Sequence, residues 1–504
     1  MVSIFDKGPP APCPAPFNMA AYVLAAAQKL PQKDALLILG EAEVEGWRYD
    51  QLERAVRGTA TGLLNLGLVA GDRVLMRLGN TVDFPLAYLG ALAVGMVPIP
   101  TSAALTVSET DLIIRETAPK AVLRDEAVPC ADHPKTVDLA TLRVFRALPP
   151  AEYHLADPNR LGYIIYTSGT SGTPRAVAHA HRAIWARRMM FDDWYGLGPQ
   201  DRVLHAGAFN WTYTLGTGLM DPWTLGATSL IPAAGTPADA LPGLIARHDA
   251  TVFAAAPGVY RQMLKSGLPM TACNLRHGLS AGEKLSHRVA ESWRAATGTD
   301  VFEAYGMSEC STFISSAPGN PAPSGAIGRP QRGRRVAILG AGGPVPIGQE
   351  GTIAVHRDDP GLMLGYLGAE AETAARMQGE WFLTGDQAVM DADFQITYLG
   401  RNDDMMNAGG YRVSPIEVET VLAALPGISA VAVTDVAVKA DARVIAAFYT
   451  APAALDEPVF QTYVQDKLAR YKQPRLYIHV PELPMGANGK ILRRALRAGY
   501  EAPQ

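Results

Sequence analysis

Between an apolar, strand-like run from Leu161 to Tyr166 and an amphipathic run beyond it, the chain reads Thr167-Ser168-Gly169-Thr170-Ser171-Gly172-Thr173-Pro174-Arg175. Glycines let backbone N–H groups turn toward one point, and hydroxyls add donors that carry no charge. Together they make a concave site for phosphate oxygens. Arg175 supplies the positive charge that a polyphosphate needs. A flexible polar turn has a similar composition. The strand before the loop and the basic residue after it favour phosphate. The spacing is not G-x-x-x-x-G-K-[ST], which no segment fits, and no G-x-G-x-x-G opens an early βαβ unit. The P-loop and dinucleotide-dehydrogenase classes are disfavoured accordingly.

Three further groupings could serve a nucleotide. In Glu303-Ala304-Tyr305-Gly306-Met307-Ser308-Glu309 a carboxylate stands beside a hydroxyl, which suits a Mg²⁺ sharing its coordination with phosphate oxygens. Asp386, in Thr384-Gly385-Asp386, can accept from both vicinal hydroxyls of a sugar, and Arg401, after Gly400, can add charge toward the phosphates. Lys490 follows the turn-forming Pro484-Met485-Gly486-Ala487-Asn488-Gly489, where a compact ammonium can meet charge developing in a transition state. Each has a plain alternative: a turn with a surface Glu, a β-turn with a surface ion pair, a solvated lysine. His179 and His181 have no acidic partners at metal-ligand spacing and read as structural. Cys13, Cys130, Cys273 and Cys310 form no C-x-x-C pair, which argues against a structural zinc site and suits reduced thiols in a cytoplasm. Cys310 reads as a packed thiol rather than a nucleophile.

In this order, from Trp47 to Arg497, the segments resemble the motifs of the adenylate-forming superfamily of acyl- and aryl-CoA synthetases, luciferases and peptide-synthetase adenylation domains. Arg175-Ala176 stands where relatives usually carry Lys-Gly, and Asn407 where many carry Lys. The resemblance implies an ATP site built from Thr167 to Thr173, Gly282, Glu283, Lys284, Glu303, Ala304, Tyr305, Gly306, Ser308, Asp386 and Arg401. In it Tyr305 packs on adenine, Ser308 contacts the α-phosphate and Glu309 holds the metal. It further implies catalytic roles for Lys490, Glu309 and Arg175, and a hinge at Asp403. Phe209, Trp211, Tyr213, Ala281 and Met307 would form the acyl pocket. Gly409, Gly410, Tyr411 and Arg412 would line the path of coenzyme A. Ser280-Ala281-Gly282-Glu283-Lys284-Leu285, the segment His356 to Gly368, and Asp466 to Arg475 look most like benzoate-type and short- to medium-chain carboxylate–CoA ligases. An Asp that binds an α-ammonium in peptide-synthetase domains has no counterpart beside Asn210, which disfavours amino acids.

These residues need elements to hold them. Short apolar runs (Ala35 to Leu39, Arg73 to Arg77, Lys120 to Leu123, Val203 to Ala206, Thr251 to Ala255) alternate with longer amphipathic ones, the signature of α/β layers. Thr384 to Asp386 reads as a loop and Phe394 to Leu399 as a strand. The chain changes character near Arg401. Strand-like Ala430 to Thr434 and Val444 to Tyr449, with helix-like Pro415 to Leu425 and Pro458 to Leu468, predict a small α+β unit. The expected division is a large multi-layer α/β domain over 1–400 and a small mobile α+β domain over 401–504. Length alone, 504 residues, exceeds one ordinary core.

A net charge of -4 argues against a general nucleic-acid binder. The apolar run Phe84 to Pro100, broken by glycine and proline, predicts a buried helix rather than a membrane span. No signal peptide is evident at the start, so a cytoplasmic location is expected. Basic residues from Lys467 to Arg497 read as a solvated face, part of which could meet the phosphates of coenzyme A. The resulting expectation is an acid–thiol ligase using ATP, Mg²⁺ and coenzyme A on a small carboxylic acid, as a monomer or homodimer. Two rivals are an adenylating enzyme that loads a carrier protein, and a nucleotide-binding regulator without turnover.

Overall fold

The computed structural model describes residues 1–41, 43–167, 175–210, 212–265, 267, 274–282, 285, 287–401, 406–408, 411–413, 415–439, 442–484, 491 and 493–501. Its largest sheet has nine strands. Asp34–Leu39, Thr228–Pro232, Arg202–His205, Val252–Ala255, His277–Ala281 and Val301–Met307 run parallel, with antiparallel strands at both edges. Strands such as Val252–Ala255 and His277–Ala281 are buried along their whole length, as expected where helices cover both faces. A second, parallel sheet of four strands is built around Arg73–Arg77 and Ala121–Arg124. The helix Asp83–Ala93 is buried at every residue and packs on Tyr49–Asn65. A Cβ on Gly62 of that partner would fall 2.0 Å from the ring of Phe145 in the helix Leu139–Phe145; these two helices meet closely because no side chain intervenes. The apolar run to Pro100 divides into this buried helix and the strand Val97–Pro100.

An antiparallel, seven-stranded sheet carries Arg335–Gly340, Glu350–His356, Trp381–Met390 and Ile396–Arg401. Two expectations are corrected here. Thr384-Gly385-Asp386 is not a loop but the middle of Trp381–Met390, whose residues are buried alternately. Tyr305-Gly306, for which a turn is the plain alternative above, lies inside the strand Val301–Met307. Glycine in each segment reads as a turn, yet both are held by partners on either side.

Downstream, Ala430–Lys439, Ala442–Thr450 and Leu476–His479 form a sheet covered by Pro415–Ala423, Glu457–Gln465 and Arg493–Glu501. Its core gathers Met406, Val413, Val433, Ile445, Phe460 and Val464. Arg401 closes a strand of the seven-stranded sheet, so the change of core falls between 401 and 406. Among the described residues no helix is long and apolar enough to cross a membrane.

Candidate active site

Leu161–Thr167 and Arg175–Ala180 form an antiparallel hairpin with Thr167 opposite Arg175, so these two bracket the hydroxyl-rich loop. Ser168 to Thr173, Trp211, Glu283, Lys284, Asp403, Gly409, Gly410 and Lys490, all predicted site residues, lie outside the described residues. Arg175 grips the Glu372 carboxylate at two points, one of them Nη2 to Oε1 at 2.6 Å. A carboxylate in that position marks where a phosphate could compete for the same fork-shaped donor set.

The segment after Leu362 clamps this hairpin to the turn that carries Glu309. Met363 N–H donates to the Glu309 carbonyl at 2.7 Å, and Leu364 N–H to the Ala178 carbonyl at 2.7 Å. Tyr366 then donates its hydroxyl to Glu309 Oε1 at 2.7 Å, and burial together with that carboxylate pushes the phenol up. Glu309 is 8% exposed, and its Oε2 has no partner among the described residues. One oxygen fixed and one open fits a Mg²⁺ that completes its shell with phosphate oxygens and water. Ser308 sits beside it, its carbonyl bonded to His179 Nε2 at 2.7 Å. His179 stacks on Tyr163 at 4.9 Å, and burial pushes it down to about 4. It is thus a neutral packing residue, as the sequence reading has it.

Tyr305 donates to Asp386 Oδ2 at 2.5 Å, and Tyr398 donates to Oδ1 of the same carboxylate at 3.4 Å. Asp386 is 3% exposed and is the cross-strand partner of Arg401. The residue proposed for adenine, the one for ribose and the one for phosphate charge therefore occupy one corner. Burial, then Asp386, raises the Tyr305 phenol. Gly306 is irreplaceable there: a Cβ would stand 2.2 Å from the Ser311 carbonyl oxygen, where the strand register shifts between Tyr305 and Gly306. Glu303 accepts from Leu285 N–H at 2.6 Å, tying this strand to the turn after Gly282, whose φ is +94°.

Ala281 and Ala304 are register partners. These small side chains share a cluster with Leu279, Trp194 and the half-buried Tyr213, whose ring lies against His205 at 4.5 Å. Two small side chains thus meet aromatic rings in this cluster. Phe209 and Met307 do not join it. Phe209, 1% exposed, packs in the helical core with Phe84 and Trp223, and Met307 packs with Phe313, Leu362 and Tyr366.

In the C-terminal unit Tyr411 stacks on Tyr471 at 4.1 Å and shares a hydrogen bond with Ser102 of the large unit; Arg412 occupies the same short strand, Tyr411–Val413. Lys472 is 4% exposed and bonds Glu109 at 2.7 Å and Glu417 at 2.6 Å. Arg493 pairs with Glu419 and Arg497 with Asp435. Much of the basic tail is therefore engaged in ion pairs rather than presented to a ligand.

Residues 23–367 match the family described as AMP-binding enzyme, and residues 417–490 match the AMP-binding enzyme C-terminal domain. The chain belongs to the AMP-binding enzyme family. It is 30% identical to benzoate–CoA ligase of Thauera aromatica, over 90% of each chain. It is 29% identical to 3-hydroxybenzoate–CoA ligase of Aromatoleum sp. (strain CIB), over 90% of this chain and 92% of that one. The crystal structure of a benzoate CoA ligase from Burkholderia xenovorans LB400 superposes with a TM-score of 0.69 at 27% identity, covering 95% and 100% of the two chains.

Sequence reasoning missed several residues that this AMP-binding enzyme gathers at the site. Tyr366 and Tyr398 hold Glu309 and Asp386, and Arg187 bonds Ser311 just past the Glu309 turn. The tyrosines sit inside segments noticed only as strand or family pattern. Arg187 lies among other basic residues on an unremarkable helical run, with no local signal that it turns inward.

Proposed function

We propose that this AMP-binding enzyme is an ATP-dependent carboxylate–CoA ligase working in two steps. A carboxylate oxygen attacks the α-phosphorus of ATP, forming acyl-AMP and releasing diphosphate. The thiolate of coenzyme A then attacks the acyl carbon, giving the thioester and releasing AMP. The observation that carries this reading is that Tyr305, Asp386 and Glu309 are each held by a named hydrogen bond and that the Glu309 turn is tied to the hairpin that bears Thr167 and Arg175.

Tyr305 and Asp386 hold the nucleoside. Arg175, with the loop from Thr167, binds and orients the phosphates. Glu309, kept in place by Tyr366, is the residue that would hold Mg²⁺. When bound, that ion offsets charge on the phosphate oxygens. Lys490 meets the charge that develops between carboxylate and α-phosphate. Neither step requires a protein nucleophile, and the buried Cys310 thiol, pushed well up by burial, is unsuited to be one.

A large unit over 1–400 carries adenylation, and a small one over 401–504 swings about Asp403 to bring Gly409, Gly410, Tyr411 and Arg412 to the acyl-adenylate. The acid is aryl, alicyclic or short- to medium-chain aliphatic. Similarity to benzoate-type ligases and the small residues at Ala281 and Ala304 support this. The enzyme acts in the cytoplasm as a monomer or homodimer. Replacing Lys490 by Ala should lower carboxylate-dependent ATP–pyrophosphate exchange by about 10²–10³-fold with the fold retained. Unchanged exchange would refute the assignment of that lysine.

A further inference from the structure

Arg187 is one of the most heavily engaged charges in the interior. Its Nε donates to both oxygens of Asp221 at 2.9 and 3.0 Å. Its Nη2 reaches Asp221 Oδ2 at 2.6 Å, the Tyr195 hydroxyl at 3.0 Å and Thr217 Oγ1 at 3.3 Å. Its Nη1 donates to Ser311 Oγ at 2.5 Å. A guanidinium has five N–H groups, two of them on Nη1. The second Nη1 hydrogen has no acceptor among the described residues, and neither does the hydrogen of the Ser311 hydroxyl.

These two donors lie on the less buried side of the cluster. Asp221, Tyr195, Thr217 and Met190 are sealed to 1% exposure or less, and a Cβ on Gly216 would stand 2.6 Å from Nη2. Yet 13% of the Arg187 side-chain surface is reachable, and Ser311 is itself only half-buried. The reachable side is therefore the Ser311 side. Ser311 is the register partner of Met307, and its backbone abuts Gly306, the glycine beside Tyr305. Arg187 lies near enough to Tyr213 for its charge to act on that phenol. The donors thus stand beside the strand that carries both Tyr305 of the nucleotide corner and Ala304 of the acyl wall.

We infer that Arg187 and Ser311 form a polar subsite at the closed end of the acyl pocket, which recognises a neutral oxygen acceptor carried by the acid far from its carboxyl group. A hydroxyl, keto or ether oxygen satisfies two converging donors. A second carboxylate does not suit the place, because Asp221 already neutralises Arg187 and a further buried anion would be uncompensated. A purely hydrocarbon acid leaves both donors unpaired, which costs affinity. The inference rests on the reading of this chain as a carboxylate-activating enzyme and narrows its substrate class.

The test is kcat/KM for acyl-adenylate formation by the full-length protein, measured on matched acids. The pairs are benzoate against its meta- and para-hydroxy derivatives, and hexanoate against its ω-hydroxy derivative. The wild type should prefer an oxygen-bearing member by about tenfold or more. Ser311→Ala keeps the Arg187–Asp221 pair and should shrink that preference by about tenfold. Arg187→Met with Asp221→Leu, which removes both charges together, should abolish it. A merely structural role would lower both members of a pair equally and leave the ratio untouched, and that result in Ser311→Ala overturns the subsite. So does a wild type that favours the unsubstituted acids. Absence of exchange with every acid overturns the functional reading and the subsite together. Activity with unchanged ratios overturns the subsite alone.

Discussion

Tyr366 donates its hydroxyl to Oε1 of Glu309 across 2.7 Å, fifty-seven positions along the chain. It thereby fixes one carboxylate oxygen, while the other has no partner among the described residues. A hydrogen bond to a charged acceptor contributes about 1.5–3 kcal/mol. Tyr366→Phe should therefore raise the Mg²⁺ concentration for half-maximal activity by about three- to tenfold, with a smaller effect on KM for the acid. A Mg²⁺ titration of initial rates checks this; an unchanged midpoint would mean that the tyrosine only packs.

Asp386 is the acceptor shared by Tyr305 and Tyr398. An Asn there loses the charge that makes a strong acceptor for ribose hydroxyls. Asp386→Asn should raise KM for ATP by about tenfold and move KM for the acid far less. Steady-state kinetics with each substrate varied in turn separates the two.

Gly306 has no room for a methyl group, with the Ser311 carbonyl 2.2 Å from where its Cβ would stand. Backbone must move to admit one, at a cost of about 1–3 kcal/mol. Gly306→Ala should lower the denaturant midpoint and nearly silence adenylation. Gly499→Ala makes the contrast: that Cβ meets nothing within 4 Å inside a helix, so it should be neutral or stabilising.

Four histidines are buried and kept neutral. Burial pushes His179 and His277 down to about 4 and His181 and His205 down to about 3. Unfolded, each would protonate near pH 6.5. As pH falls from about 6.5 toward 4, the unfolded chain takes up protons that the folded chain refuses. Stability therefore falls with pH across that window and is fully present above it. Thermal melts from pH 7.5 to 4.5 should record the decline, and His277→Gln should flatten it.

Much of this was legible before any coordinates. Strands such as Arg73–Arg77 and Ala442–Thr450 follow from apolar runs bounded by turn-formers. The apolar run before the hydroxyl-rich loop likewise becomes the strand Leu161–Thr167, while the loop from Ser168 to Thr173 lies outside the described residues. Thr384-Gly385-Asp386 misleads because its glycine and aspartate are turn-formers locally. Pairing on both flanks, with strands more than ten residues away in sequence on one side, overrides that preference. Tyr366, Tyr398 and Arg187 escape notice for a related reason. Their meaning lies in which carboxylate or hydroxyl the fold brings to them, and no periodicity encodes that. Phe209 packs in the helical core and Met307 against the seven-stranded sheet, placements that residue type alone does not encode.

The ammonium of Lys472, clasped by Glu109 on one side and Glu417 on the other, biases the resting enzyme toward the arrangement seen here. Turning the C-terminal hundred residues away from the helix Val107–Thr117 would strip Glu109 of its counter-charge and wet a contact that is now dry. A substrate or product that prefers the turned arrangement must bind it more tightly by at least that difference. If the C-terminal unit swings as proposed, the two carboxylates would set how readily the protein changes posture.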